Sequence, residues 1–362
     1  MKKSLIALAV LAASGVASAQ STVTLYGLAD VYLGSTKVKS TVGGLSTSLR
    51  QTVVDSGGFN TSRFGFKGSE DLGGGLKANF LLEAGYDIST GAANNYTSPF
   101  NTAVSATNPT GFQTSNAIFG RQSWVGLSGG FGEVKLGKMW TPYDEVKGSG
   151  AGAFDANIFA PANAVWLSNT YQDRPGNSIY YSTPNISGFS AAASYSFGEN
   201  KTNAVGAIPA QDAGKIVSAN VQYAAGPFGL ALSHQRQEAN GNATAEKFTQ
   251  VNGSWDFQVV KLLGAYGQTK NVAATNKSRE FQLGVDVPLG SALTLSGGVA
   301  RSKITLLAGA GETKGTAFGL AAKYELSKRT FMYTGLQLAK NELNTGREVK
   351  TDTFAVGVQH KF

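Results

Sequence analysis

Apolar side chains fall on every second position through most of the chain beyond residue 20, in runs of roughly ten residues separated by turn-forming residues. Successive side chains of a strand point to opposite faces, so each run predicts a strand with one oily and one polar side. Leu76, Ala78, Phe80, Leu82, Ala84 and Tyr86 alternate with Lys77, Asn79, Leu81, Glu83 and Gly85. Phe189, Ala191, Ala193, Tyr195 and Phe197 alternate with serines and one alanine, and Phe281, Leu283, Val285 and Val287 with Gln282, Gly284 and Asp286. The same pattern recurs from Val251 to Phe257 and from Phe318 to Leu326. In the final run Phe354, Val356, Val358 and Phe362 share a side, with His360 among them, while Thr353, Ala355, Gln359 and Lys361 share the other.

The connections between runs alternate in length. Short turns stand at Asp71–Gly75, Gly129–Gly132, Pro184–Gly188, Ala225–Gly229 and Pro288–Ser291, and longer polar segments at Gly91–Ala117, Thr141–Gly176, Asn200–Gly214 and Leu306–Gly315. Short turns on one rim and long loops on the other predict an all-β fold, a transmembrane antiparallel β-barrel with short periplasmic turns and long extracellular loops. A β-sandwich also alternates, but its inner faces are dry, whereas the polar face here carries charges in strand after strand. Sixteen strands, from Val23–Leu33 to Lys350–Phe362, allot about 21 residues to each strand with its connection, enough for the roughly 9 to 11 residues that cross a membrane. A barrel of that size is wide enough for a water-filled channel.

Composition alters this picture little, but the N-terminal residues place the chain. Lys2 and Lys3, an apolar run from Leu5 to Val16 and the small residues Ala17-Ser18-Ala19 predict a secretory signal peptide over 1–19. The run is too short for a transmembrane helix, and residues 20–362 are expected to form a single barrel domain in the outer membrane. Gly 46 against Pro 9 suits tight turns and twisted strands. With Cys 0 there is no disulfide framework, thiol nucleophile or thiolate metal site.

Catalytic signatures are missing. The chain has two histidines, His234 and His360, and neither a Gly-x-Ser-x-Gly elbow nor a His-Glu-x-x-His motif. His234 could be half of a dyad only if a nucleophile joined it. Gly309–Gly315 resembles a phosphate loop in glycine content alone, with no helix after it. No enzyme, cofactor or metal is therefore expected, and the spread of basic residues along strands does not suggest nucleic acid.

Three stretches carry a family resemblance: Thr22-Val23-Thr24-Leu25-Tyr26-Gly27, Ser62-Arg63-Phe64-Gly65-Phe66-Lys67-Gly68-Ser69-Glu70-Asp71-Leu72-Gly73-Gly74-Gly75-Leu76-Lys77-Ala78, and Phe119-Gly120-Arg121-Gln122-Ser123-Trp124-Val125-Gly126-Leu127. Together with the ending Gly357–Phe362 they resemble the general porins of β-proteobacteria, the neisserial and Burkholderia-type family. That resemblance implies homotrimers of sixteen-stranded barrels, each with its third loop folded into its own lumen. The face formed by Phe354, Val356, Val358 and Phe362 resembles the C-terminal strand that the barrel assembly machinery reads.

Passive diffusion of small hydrophilic solutes and ions needs a hole, a constriction and fixed charge, and no catalytic group. The candidate constriction loop is Thr141–Gly176, which carries Asp144, Glu145, Asp155 and Asp173 with Lys147 and Arg174. Arg63, Lys67, Lys77 and Lys135 point inward by parity and form the expected basic wall. Arg121 shares parity with Phe119, Val125 and Leu127, as Lys138 does with Leu136, so either needs a bulge to reach the lumen. Acid opposite base would set a transverse field across the narrowest section. Removing Lys2 and Lys3 lowers the formal charge from +8 to +6, from which a mild anion preference is expected. Arg301, Lys303, Lys314, Lys328 and Arg329 are expected at the rim, facing lipopolysaccharide phosphates. A substrate-specific channel remains the alternative, with Trp140, Tyr143 and Trp166 as the start of an aromatic slide; a plugged structural barrel is the third reading.

Overall fold

The computed structural model describes residues 22–93, 117–147, 158–197, 215–238, 245–271, 276–306 and 311–362. The expected signal peptide and Asp155 lie outside the described residues. Seventeen strand segments follow one another in antiparallel order: β1 (Thr22–Val42), β2 (Leu45–Ser56), β3 (Arg63–Gly73), β4 (Leu76–Gly85), β5 (Gln122–Gly129), β6 (Gly132–Lys138), β7 (Ser178–Ser182), β8 (Phe189–Ser196) and β9 (Ile216–Ala225). Then come β10 (Phe228–Glu238), β11 (Ala245–Asp256), β12 (Lys261–Asn271), β13 (Lys277–Leu289), β14 (Leu293–Thr305), β15 (Glu312–Glu325), β16 (Thr330–Glu342) and β17 (Glu348–Lys361).

Sixteen staves result, because β2 and β3 are two halves of one. β1 pairs with β2 from Val42↔Leu45 down to Val31↔Ser56, then with β3 from Leu28↔Arg63 to Thr22↔Ser69. The last strand closes the ring on the first, from Thr41↔Glu348 to Leu28↔Lys361. The closure is completed by Gly27 and Phe362, whose backbones exchange two hydrogen bonds of 3.0 Å. Gly27 is required there, since a Cβ would lie 2.4 Å from the Phe362 ring. Closure satisfies the backbone of both terminal staves, the condition for crossing lipid as strands.

Two boundaries differ from the sequence expectation. The first strand, expected to end at Leu33, continues to Val42 and turns back through Gly43 and Gly44 with φ of 56° and 84°. Paired positive φ marks the tight hairpin turn whose twist matches the strands, so the first loop is only two residues long. The segment expected as a loop over Leu306–Gly315 ends earlier, since Glu312–Gly315 belong to β15. Short connections over 257–260 and 326–329 complete the periplasmic rim.

The outer surface is stratified. Leu232, Leu283, Val299 and Leu320 are exposed along the middle of their strands. Near the short turns a chain of rings runs across four strands, Phe189–Tyr223–Phe228–Trp255, with centroid separations of 4.5, 6.2 and 5.8 Å. Such a belt suits the membrane interface. His360 stands at this rim, hydrogen-bonded with Thr330 at 2.8 Å, and His234 faces outward beside Thr249, so neither histidine reaches the lumen.

The break between β2 and β3 turns inward. Asp30, buried on the inner side of β1, accepts hydrogen bonds from the Asn60 backbone (2.9 Å), the Phe59 backbone (3.3 Å) and the Tyr333 hydroxyl (2.6 Å). Ser62 donates to the Asp30 carbonyl at 3.0 Å. One carboxylate thus ties the excursion to β1 and β16, Asn60 also donates to Gln359 at 3.0 Å, and Phe59 packs edge-on against Phe331 at 5.0 Å. Asp30→Ala is expected to lower the unfolding free energy by about 2–4 kcal/mol, since it strands several buried donors; urea unfolding of the barrel in detergent checks this, with Asp30→Asn recovering part of the loss.

Candidate functional site: the lumen and its inward loop

The third loop leaves β6 at Lys138 and returns at β7, and its described parts lie inside the barrel. Thr141 starts α1 (Pro142–Lys147) as a cap: its carbonyl accepts from the Asp144 and Glu145 backbones at 3.0 and 3.1 Å. Proline at the first helical position and acids in the first turn suit a helix start. α1 packs on the inner faces of β8–β11, where Asn220 donates to the Pro142 carbonyl (2.7 Å), Asn252 to the Val146 carbonyl (2.5 Å), and the Tyr143 backbone to Ser218 Oγ (2.9 Å).

Farther along the loop, the Ile158 N–H donates to the Gly58 carbonyl at 3.2 Å. The loop therefore meets the inward excursion of β2 and β3. Phe159 seats among Phe331, Tyr333 and Ala355, and α2 (Pro161–Val165) lies on β14–β16. Glu280 on β13 then accepts from the Leu167 and Ser168 backbones at 2.5 and 3.1 Å, and Gln337 donates to the Ala160 carbonyl at 2.8 Å. Room for this packing comes from small residues on the inner face of β15 and β16. A Cβ on Gly319 would lie 2.1 Å from the Phe159 carbonyl, and one on Gly315 would lie 2.7 Å from Val165.

Among the described residues the loop packs on β8–β16 and on Ala355 of β17 and reaches Tyr180 of β7 through Glu145, which leaves the inner wall of β3–β6 and the short-turn ends of β1 and β7 open. That wall holds the basic cluster. Glu83 on β4 is buried beneath Arg121 (Nε to Oε1 2.7 Å) and Arg63 (Nε to Oε2 3.6 Å), and accepts from the Tyr26 hydroxyl at 2.9 Å. Arg121 reaches inward because β5 begins only at Gln122, so strand parity does not apply to it. Burial, then Arg174 facing it, pushes the Arg121 guanidinium down to about 10 while Glu83 pulls it back up, and it stays charged at neutral pH. Arg174 stacks on Trp140 with 3.5 Å to the ring centroid and pairs with Asp173 at 3.3 Å. Lys138 also turns inward, past Gly137 with φ of 134°, and donates to the Arg174 carbonyl at 2.5 Å.

The predicted wall residues are therefore not equivalent. Arg121 and Arg174 are buried and brace the loop's root. Arg63 is partly exposed and Lys67 exposed, the latter with its amine 5.3 Å from the Tyr26 ring. Lys67, Thr22, Thr24, Asn79, Ser128 and Glu133 line an open recess of about 610 Å³ below the loop. Lys77 is exposed next to the 73–75 turn, opposite Asp71 and Ser128, which puts it at the periplasmic mouth. Lys135 pairs with Glu133 at 2.9 Å and lies over Tyr180 at 4.7 Å.

On the acidic side, Tyr180 donates to Glu145 at 2.9 Å, so Glu145 and Lys135 flank one ring as neighbours. Asp144 accepts from the Tyr171 hydroxyl within the loop. Tyr143 and Trp166, expected to begin an aromatic slide, are buried behind the loop, where burial pushes the Tyr143 hydroxyl up. Sequence reasoning passed over Glu83, Glu280 and Asp30 as individual anchors. Their inward parity was visible, but which inward carboxylate meets a partner depends on residues far along the chain, from 30 positions for Asp30 and Asn60 to 113 for Glu280 and Leu167.

A closed barrel with a polar interior and a loop lodged across it defines an outer-membrane channel for passive diffusion. The chain belongs to the Gram-negative porins, whose family model matches residues 5–344. It is 35% identical over 99% of its length to outer membrane porin protein 32 of Delftia acidovorans, covering 95% of that protein. With an outer membrane porin of Bordetella pertussis it shares 31% identity over the whole of both chains. Among solved structures, an anion-selective porin from Comamonas acidovorans matches 94% of this chain and 100% of its own, with a TM-score of 0.71 and 28% identity.

Gly319→Val tests the seating of the loop. The added side chain is expected to displace Phe159, cost about 1–3 kcal/mol by overpacking, and raise single-channel conductance as the loop leaves its bed; melting in detergent and planar-bilayer recording measure the two effects.

Proposed function

We propose that this water-filled diffusion channel mildly prefers anions, and that the preference is set by the wall the loop leaves uncovered. The observation that carries this reading is the asymmetry of access: Arg63 and Lys67 meet the lumen, whereas the carboxylate between the guanidinium groups, Glu83, is buried. Fixed charges act over a Debye length of about 8 Å at physiological salt, so charges on the passage outweigh the formal total of the chain. The anion-selective porin from Comamonas acidovorans is a relative with the same fold and supports the same direction. Lys135 and Lys77 extend the positive wall toward the periplasm, and the loop carboxylates Asp144 and Glu145 border it. Asp155 is assigned to the same border by sequence alone.

We also propose that residues 1–19 are removed on export, that three copies assemble as one unit, and that the outward face of β17 guides insertion. That face bears Phe354, Val356, Val358 and Phe362, all exposed, as a recognition strip for assembly machinery needs. The substrate-specific alternative keeps only Trp140 of its three slide residues, and that ring lies under Arg174, since Tyr143 and Trp166 are packed away from the passage.

In a potassium chloride gradient across a planar bilayer, the reversal potential should have the sign of chloride preference, and Arg63→Gln with Lys67→Gln should bring it to zero or reverse it. A clear potassium preference in the parent protein rules the proposal out. Flux that rises linearly with solute concentration supports free diffusion; saturation at micromolar solute supports a binding channel.

A further inference from the structure

The lumen wall that the loop leaves open is wet, with one exception. In register, Thr24 on β1 stands opposite Lys67 on β3, Lys67 opposite Leu81 on β4, and Leu81 opposite Trp124 on β5. These four side chains form one level across the wall, directly below the level of Tyr26 and Glu83. Every other inward position of β3–β6 is glycine, is charged, or carries a hydroxyl or amide, so Leu81 and Trp124 are the two apolar members of that surface. Both are half-buried. Apolar area left in water is unfavourable in proportion to its size, and Leu81 gains nothing from lipid, since it points inward, or from the loop, which does not reach β4.

The same level carries an unneutralised cation. Arg63 approaches Glu83 at 3.6 Å and Lys135 pairs with Glu133 at 2.9 Å, whereas Lys67 has no carboxylate partner among the described residues. Trp124 is held in place: its Nε1 donates to Gln122 Oε1 at 3.4 Å, the Lys135 amine lies 4.9 Å from its ring centroid, and it packs beside Tyr180 and Met139. Asn79 donates to Ser128 at 2.8 Å on the next level down. Lys67, Leu81 and Trp124, with Thr24 and the Asn79–Ser128 pair, line the recess of about 610 Å³, and Lys67 is the one cation among its lining residues.

We propose that this recess is a subsite for aromatic monocarboxylates, the carboxylate held by Lys67 and the Thr24 hydroxyl and the ring lying against Leu81 and Trp124. Charge and apolar platform stand on neighbouring strands about 5 Å apart, within the span of one ring and its carboxylate. A single ammonium matches a single negative charge. A second charge on the solute finds no further cation in the lining, and a neutral ring leaves Lys67 without a partner. Fixed side chains around Trp124 mean that little ordering is needed on binding. The subsite lies just past the narrow, charged section, where it gathers solutes whose rings that section disfavours, and its affinity is weak enough for release to stay fast. The inference rests on the reading of the lumen as a diffusion channel with an open basic wall.

The test uses the full-length protein in detergent, with benzoate, benzamide and acetate as probes and saturation-transfer NMR as the measure of binding. Benzoate should bind in the millimolar range, and benzamide and acetate should bind at least tenfold more weakly, the first for want of charge and the second for want of a ring. Lys67→Gln should weaken benzoate binding by about tenfold, the effect of losing one charge-assisted hydrogen bond, and Leu81→Asn by about fivefold. Lys261→Gln, at the start of β12 and nearly opposite β3 around the ring, removes the same charge elsewhere and should leave benzoate binding unchanged. Planar-bilayer recording of the parent without probe reports on the channel itself, so a chloride-preferring pore that binds no benzoate refutes the subsite alone. Equal binding of benzoate and benzamide, or full affinity in the Lys67→Gln, Leu81→Asn double variant, also overturns the proposal.

Discussion

A chain that crosses lipid as strands must hydrogen-bond every backbone N–H and C=O to another strand, because the hydrocarbon offers no partner and each orphan group costs several kcal/mol. For this protein that constraint is met by the pairing of β17 with β1, finished at Gly27 and Phe362. The ring it closes creates an inside, and the inside is where the passage and its constriction are built. Without that pairing two unsatisfied edges would remain, and the wall that seats the third loop would have no fixed curvature.

The interior is divided by what the wall offers the loop. On β15 and β16 small inward residues make a bed for Phe159 and α2, and on β9, β11, β13 and β16 inward amides and carboxylates receive the loop's backbone groups. The loop is thus held by the polar face that a membrane barrel has anyway, turned from solvating water to binding peptide. The inner faces of β3–β6 and the short-turn ends of β1 and β7, which the loop does not reach, remain the wall of the passage. Asp30 extends this logic by drawing the broken stave inward to meet the loop at Gly58.

The outward face of the same strands follows a different order, set by depth. Rings gather at the short-turn end, aliphatic side chains in the middle and cations at the long-loop end, an order that suits interface, hydrocarbon and polar headgroup region in turn. Strand alternation lets the two faces be chosen independently, so Lys303 and Ser302 can face outward and inward from adjacent positions.

Alternation, turn chemistry and connection lengths made the barrel, its strand number and its sidedness legible in the sequence, because side-chain period and glycine turns are local properties of consecutive residues. Parity also named Arg63 and Lys67 as inward. It misjudged reach: the first strand runs nine residues past Leu33, and Lys328 and Arg329 fall on the other rim. Arg121 and Lys138 escaped parity because one precedes its strand and the other follows Gly137. Only the tertiary structure decided which cations are buried braces and which meet the lumen, that Glu83 lies beneath Arg121, and that Tyr143 and Trp166 are packed away. Those outcomes depend on a loop folding back across the barrel to find hydrogen-bond partners and small residues far along the chain, and no local pattern records which distant positions will meet.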